Sequence, residues 1–311
     1  MKSGNVKTIV SFFSFLVLAC MILSCGCTTT APKESISLGS GSIPAGEGQY
    51  IFNDSLGNVD RPISVFTYRP STWKSDSPVL IVMHGAGRNG KDSMMAWKSY
   101  SERYSCLIVA PEFSEQYYPG DQWYIGGNLY SSTGKVNPKS NWTYTAVEHL
   151  FGDIRNRTGA RQESYLLFGH SAGAQFVHRL VTFLPEARYS RAVAANAGFY
   201  VFPIYTIPAP TGLKFSPLPA SDLPKVFGRK LIIMSGEADT NANDSSLARF
   251  PEAEAQGKNR FERALAYYYT AKSEASRLSV PFNWEYYTVP GVGHDEGGMV
   301  GPSAVRLFSV P

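Results

Sequence analysis

Ser171 stands in the run Gly169-His170-Ser171-Ala172-Gly173, directly after the apolar stretch Tyr165-Leu-Leu-Phe and directly before an amphipathic stretch over residues 172–184. A serine on so tight a strand-to-helix turn has its hydroxyl thrust out of the sheet edge. It needs glycine neighbours where larger side chains would clash, and the free N–H groups of the new helix N-terminus aim at the same point. The chemistry this suits is nucleophilic attack on a carbonyl carbon. The five-residue string alone is weak in a chain with 28 glycines. The strand before it and the helix after it single it out.

A serine hydroxyl is a poor nucleophile until a base takes its proton. The chain has five histidines, so elimination is practical. His170 sits on the same turn as Ser171 and cannot reach back to it. His149 and His178 fall on or near the apolar stripes of helical patterns, and His84 ends a strand. His294 remains, in the loop Val289-Pro-Gly-Val-Gly-His294-Asp-Glu-Gly-Gly after the last strand, where glycines let the chain fold back over the sheet edge. A base of this kind needs a carboxylate to fix its tautomer. Asp239, just past the tip of the strand Leu231-Ile-Ile-Met-Ser, is the expected partner, with Glu237 and Asp244 as local rivals. Asp295 adjoins His294, and adjacent side chains in extended backbone point apart. Stabilising an oxyanion takes two N–H donors. One is expected from Ala172, and the other from the loop after the third strand, at Ala86 or secondarily Gly87. Arg88 in that loop is suited either to a substrate carboxylate or to a surface acid. No His, Cys and acid spacing of metal-site type occurs, so a catalytic metal is not expected.

These residues need a scaffold that gathers strand ends. Short β-rich runs at residues 50–53, 63–68, 79–83, 106–110, 165–168, 192–195, 231–235 and 284–289 alternate with helical patterns, which predicts a parallel sheet covered by helices. The third and seventh runs are continuously apolar, as in strands buried on both faces. Val147, Leu150, Phe151 and Ile154 make one helical stripe, Val177, Leu180, Val181 and Leu184 a second, and Phe261, Ala264, Leu265 and Tyr268 a third. Thr145 with Glu148 reads as a capping box at a helix start. Eight strands in about 260 residues make one domain, residues 49–311. Two long loops break the rhythm, near 112–140 and 199–230, and both leave the carboxyl ends of strands, where open α/β sheets bind ligands. Trp123, Tyr124 and Tyr200 in them are the candidate substrate contacts.

The first residues read as an address. Met1 to Lys7 carries two lysines and no acid, and about 18 mostly apolar residues follow, from Thr8 to Cys25. Ile22-Leu23-Ser24-Cys25 resembles a bacterial lipobox, and Val17-Leu18-Ala19-Cys20 is a poorer fit. The expected organisation is a lipoprotein-type signal peptide over 1–24, acylation at Cys25 and a flexible tether over 25–48. An uncleaved N-terminal anchor is the alternative, and either places the body outside the cytoplasm on a membrane. Cys106, starting a buried strand, is expected to be an inert thiol. Net charge is +4, falling to about +2 without Lys2 and Lys7, which does not point to nucleic acid. With 43% apolar and 17% charged residues, a large core is available and extended disorder is excluded.

Taken together, the strand followed by His84-Gly-Ala-Gly87, the run GHSAG at 169–173, GEAD at 236–239 and PGVGH at 290–294 resemble the α/β-hydrolase superfamily over about residues 49–308. They are most similar to the esterase branch that includes polyhydroxybutyrate-depolymerase-like and feruloyl-esterase-like proteins. The resemblance implies a three-layer α/β-hydrolase fold, with a mostly parallel eight-stranded sheet, an antiparallel second strand and flanking helices. It also implies serine hydrolysis without a cofactor, in chain order Ser171, Asp239, His294. The loop at 84–89 departs from the lipase-type triple glycine, and no substrate signature is evident. The expected activity is hydrolysis of small or polymeric carboxylic esters. A peptidase or thioesterase on the same residues, or a non-catalytic binding lipoprotein, is the alternative.

Overall fold

The computed structural model describes residues 41–309; the leader, the two candidate lipidation cysteines and most of the tether lie outside them. Eight strands form one sheet: β1 (Gly46–Phe52), β2 (Ile63–Arg69), β3 (Val79–Met83), β4 (Leu107–Glu112), β5 (Tyr165–His170), β6 (Tyr189–Ala195), β7 (Leu231–Gly236) and β8 (Glu285–Val289). Their order is β1-β2-β4-β3-β5-β6-β7-β8. β2 runs antiparallel to both β1 and β4, and every pairing from β4 to β8 is parallel. This is the eight-stranded α/β-hydrolase architecture, including its antiparallel second strand. The expected strands are all present, with β3 matching at both ends and the others differing by one to four residues at an end.

The apolar runs bury both faces because successive side chains of a strand point to opposite sides. Val79, Ile81 and Met83 of β3 face one core with Leu167 of β5 and Ile233 of β7, whereas Leu80, Val82, Phe168 and Met234 face the other. The first core is closed by α4 (Thr143–Thr158), α5 (Ala172–Phe183), α6 (Leu223–Phe227) and α8 (Arg260–Arg277). The second is closed by α1 (Gly90–Ala96), the adjoining α2 (Lys98–Tyr104) and α9 (Glu296–Phe308). Short helices α3 (Gly120–Trp123) and α7 (Pro251–Glu254) lie in connections. All twelve residues of α5 are buried, so the helix that follows Ser171 is fixed on every side. Cys106 is buried and free, and burial pushes its thiol far up, as an inert thiol requires.

The Thr145–Glu148 capping box does not form. α4 starts at Thr143 with Trp142 in the N-cap position, three residues before Thr145, and the Thr145 hydroxyl donates to the Lys139 carbonyl at 2.7 Å. Glu148 instead receives the Arg188 guanidinium and the Tyr165 hydroxyl, each at 2.7 Å. A charge-assisted partner outcompetes a backbone N–H. A related cap forms at α8, where the Asn259 side chain accepts the Glu262 N–H at 2.9 Å and Glu262 reaches back to accept the Lys258 N–H at 2.8 Å.

Candidate active site

Ser171 joins β5 to α5 with φ 57° and ψ −118°, a conformation costly for any residue with a side chain. The flanking glycines make it possible. A Cβ on Gly169 would lie 2.3 Å from the Gly173 carbonyl oxygen, and one on Gly173 would lie 2.1 Å from that of Met83. The end of β3 therefore packs bare against the first turn of α5. That contact carries the turn at residues 85–88, closed by the Arg88 N–H on the Gly85 carbonyl at 3.2 Å, to the same edge. Ala86 and Gly87 are exposed on this turn, and Ala172 is the first residue of α5, so its N–H has no intrahelical acceptor.

Three residues far apart in sequence meet here. His294 Nε2 lies 3.0 Å from Ser171 Oγ, and His294 Nδ1 lies 2.8 Å from Asp239 Oδ2. An ionised carboxylate only accepts, so the imidazole proton sits on Nδ1 and Nε2 is left to accept the serine hydroxyl. Asp239 is buried and His294 partly open. Such a chain can withdraw the hydroxyl proton while the carboxylate stabilises the imidazolium that results. The rival acids have other partners: Glu237 accepts the Thr288 hydroxyl, Asp244 pairs with Arg260, and Asp295 caps α9 through the Gly298 N–H.

The loop bearing His294 is held by close packing and by one amide. A Cβ on Gly236 would meet the Val292 carbonyl oxygen at 2.3 Å, and the Ala238 N–H donates to that oxygen at 2.9 Å. Asn196, at the end of β6, was invisible as a site residue in the sequence. Its Oδ1 accepts the Gly236 N–H at 2.8 Å and its Nδ2 donates to the Gly293 carbonyl at 3.0 Å. Its φ of 53° is one that asparagine tolerates better than most residues, and that is the only sequence signal it carries. The His170 ring lies 4.7 Å from that of His294, and burial lowers its pKa to about 3, so it stays neutral beside the His294 imidazole.

Two of the other histidines serve the two inserted loops. His84 Nε2 accepts the Phe113 N–H at 3.0 Å where the 112–140 loop begins. His178 Nε2 accepts the Val201 N–H at 3.1 Å where the 199–230 loop begins. His149 pairs instead with the fully buried Asp54 at 2.7 Å. The expected substrate contacts need correction. Tyr124 is buried, stacked on His84, and donates its hydroxyl to the His84 carbonyl at 2.6 Å. Tyr200 is buried and stacked on Tyr267 at 4.5 Å. Sequence shows an aromatic loop but not which rings turn inward; these two belong to the core. Trp123 is half-buried under the Arg61 guanidinium, 3.7 Å from its ring centre. Arg88 donates to the carbonyls of Phe113, Tyr118 and Gly120 and pairs with Glu115.

No protein-family model matches the chain, and no curated protein does. Solved structures do. Poly(aspartic acid) hydrolase-1 from Sphingomonas sp. KT-1 is 35% identical, with a TM-score of 0.83 over 86% of this chain and 100% of its own. A poly(3-hydroxybutyrate) depolymerase from Bordetella parapertussis is 36% identical, with a TM-score of 0.82 over 86% of this chain and 92% of its own. A fluorophosphonate-binding serine hydrolase from Staphylococcus aureus is 13% identical, covers 85% of this chain and 97% of its own at a TM-score of 0.54, and shares the fold.

Proposed function

The chain belongs to the α/β-hydrolase superfamily and is a hydrolase, and from that premise we propose that it cleaves carboxylic esters through an acyl-enzyme on Ser171. The observation that carries this reading is the unbroken hydrogen-bond chain from Ser171 Oγ through His294 to Asp239, at 3.0 and 2.8 Å. Ser171 Oγ attacks the ester carbonyl as His294 Nε2 takes its proton. The oxyanion is received by the N–H groups of Ala172 and of Ala86, with Gly87 as the alternative donor. His294 then protonates the leaving alcohol, and a water deprotonated by His294 releases the acid from Ser171.

The substrate class we infer is a polymeric or oligomeric ester, because the depolymerase at 36% identity acts on a polyester. A second reading, an amide bond, is favoured by the relative at 35% identity that is a poly(aspartic acid) hydrolase. Leaving-group chemistry separates them. Matched oligomeric esters and amides offered to the purified protein should show the ester turned over faster; a profile selective for amides would reverse the assignment. Covalent labelling by a fluorophosphonate should occur in the wild type and vanish in Ser171→Ala. A labelled alanine variant would remove Ser171 as nucleophile. That the protein is exported and lipid-anchored at Cys25 remains part of the proposal. It rests on the leader's charge, apolar run and Ile22-Leu-Ser-Cys25 pattern.

A further inference from the structure

Behind the Ser171–His294–Asp239 chain lies a buried cation that hydrolysis of this kind does not require. Arg260, near the start of α8, is as buried as Asp239 itself. Its Nη1 lies between two carboxylates, 3.4 Å from Asp239 Oδ1 and 3.1 Å from Asp244 Oδ2, and its Nη2 donates to Ser246 Oγ at 2.7 Å. Asp239 therefore spends one oxygen on His294 and turns the other towards Arg260, while Arg260 is tied in turn to the loop after β7. The Nε of Arg260 is buried without a partner, so the guanidinium is not placed there for its own solvation. We infer that Arg260 is a positioning residue that orients Asp239 and, with Asp244, sets how readily His294 is held as imidazolium.

The charges explain why both partners matter. Asp239, Arg260 and Asp244 together carry about one negative charge, which a proton on His294 neutralises. Removing Arg260 leaves more negative charge beside the imidazolium and favours it, whereas removing the Asp244 charge leaves Arg260 uncompensated and disfavours it. The hydrogen bonds from Arg260 and Ser246 hold the Asp244 carboxyl well below the usual carboxylate range, so the counter-charge persists through the working pH. The remaining groups around His294 do not replace this pair. His170, at the end of β5, is kept neutral by burial, and Asp295 is engaged as the cap of α9. Glu296, on α9, accepts the Ser93 hydroxyl, Glu237 accepts that of Thr288, and Arg263 of α8 is committed to the carbonyls of Gly257, Gly198 and Ala248.

This inference rests on Ser171 being the nucleophile, so the test reads Ser171 directly. The rate of Ser171 labelling by a neutral fluorophosphonate is followed against pH for the wild type, Arg260→Met, Arg260→Lys and Asp244→Asn. The pH at which labelling is half-lost on the acid side should rise by about one unit in Arg260→Met. It should return towards the wild-type value in Arg260→Lys and fall by about half a unit in Asp244→Asn. A merely structural role would slow labelling without moving these midpoints in opposite directions. Midpoints that stay put, or that move the same way in Arg260→Met and Asp244→Asn, overturn the inference while leaving Ser171 in place. Wild-type protein that is never labelled at Ser171 overturns both. If Arg260→Met fails to fold, the sign of the Asp244→Asn shift decides.

Discussion

Asn196 donates through Nδ2 to the carbonyl of Gly293, the residue that immediately precedes His294, across 97 positions of sequence. The same amide accepts the Gly236 N–H through Oδ1, so a single buried side chain sets the spacing between the end of β7, which leads to Asp239, and the loop that carries His294. Two segments that must agree to within a fraction of an ångström are thus tied to a third, the end of β6.

Removing that amide should cost catalysis more than binding. Asn196→Ala loses both hydrogen bonds and places alanine at φ 53°, a strain of about 1–2 kcal/mol. Asn196→Gly loses the bonds without the strain. We expect both to lower kcat roughly 10- to 100-fold with a smaller change in KM, because misplacing a base by about 1 Å costs on this scale. Only the alanine variant should add the strain penalty to its loss of Tm. Steady-state kinetics on one ester with parallel melts checks this. A Gly variant with unchanged kcat would remove Asn196 from the positioning of His294.

Gly173 of the turn and Gly152 of α4 make opposite predictions. Gly173→Ala would drive a methyl to 2.1 Å from the Met83 carbonyl oxygen and 2.8 Å from that of His84, both backbone atoms that cannot swing aside. A cost of about 3 kcal/mol or more is expected, lowering Tm by on the order of 5–10 °C. Gly152→Ala in α4 meets nothing within 4 Å and should raise Tm slightly, since alanine is the better helix former by roughly 0.5–1 kcal/mol. Thermal melts of the two variants should bracket the wild type. A Gly173→Ala protein as stable as the wild type would contradict the packing of β3 on α5.

How far the sequence could be read follows from what each feature depends on. β3 is legible at both ends because five consecutive apolar residues have nowhere to go but a strand buried on both faces. Ser171, Asp239 and His294 are legible because each lies just past a strand, and parallel strands bring their ends to one edge. What escapes is whatever depends on partners distant in sequence. Glu148 pairs with Arg188, forty residues on, instead of capping its helix. Tyr124 and Tyr200 turn inward because His84 and Tyr267 offer them ring faces. Asn196 and Arg260 look ordinary until the segments they join are side by side.

The buried histidines make stability depend on mild acid. His84 and His170 have pKa values lowered by burial to about 4 and about 3, and His178 is lowered well below its ordinary value. The unfolded chain, with histidines near 6.5, binds protons that the folded chain refuses. Stability is therefore full above about pH 6.5 and is lost as pH falls towards 4, by up to about 1.4 kcal/mol per pH unit for each histidine. Protonation of His84 or His178 also removes the acceptor for the Phe113 or Val201 N–H, so the two inserted loops should loosen together. Melts at pH 6.5 and 4.5 check this, since the depressed Asp244 titrates below that window. His178→Gln, which keeps an acceptor but cannot charge, should lose less Tm across the interval than the wild type. An equal loss would assign the acid sensitivity to other groups.

Arg88 separates a substrate contact from a structural clamp. Its guanidinium donates to the carbonyls of Phe113 at 2.5 Å, Tyr118 at 3.2 Å and Gly120 at 3.0 Å, and lies 4.6 Å from the Tyr124 ring centre. Those donors are committed to the start of the 112–140 loop, and the exposed Glu115 adds little to them. Arg88→Ala should therefore cost about 2 kcal/mol of stability through three lost hydrogen bonds. It should also lower kcat/KM by a similar factor for neutral esters and for esters that carry a carboxylate. Arg88→Lys should recover little, because one ammonium cannot serve three carbonyls held in a fork geometry. Paired measurements of kcat/KM on a neutral ester and its carboxylate analogue decide the matter. A loss tenfold greater on the carboxylate substrate would make Arg88 a specificity residue instead of a clamp.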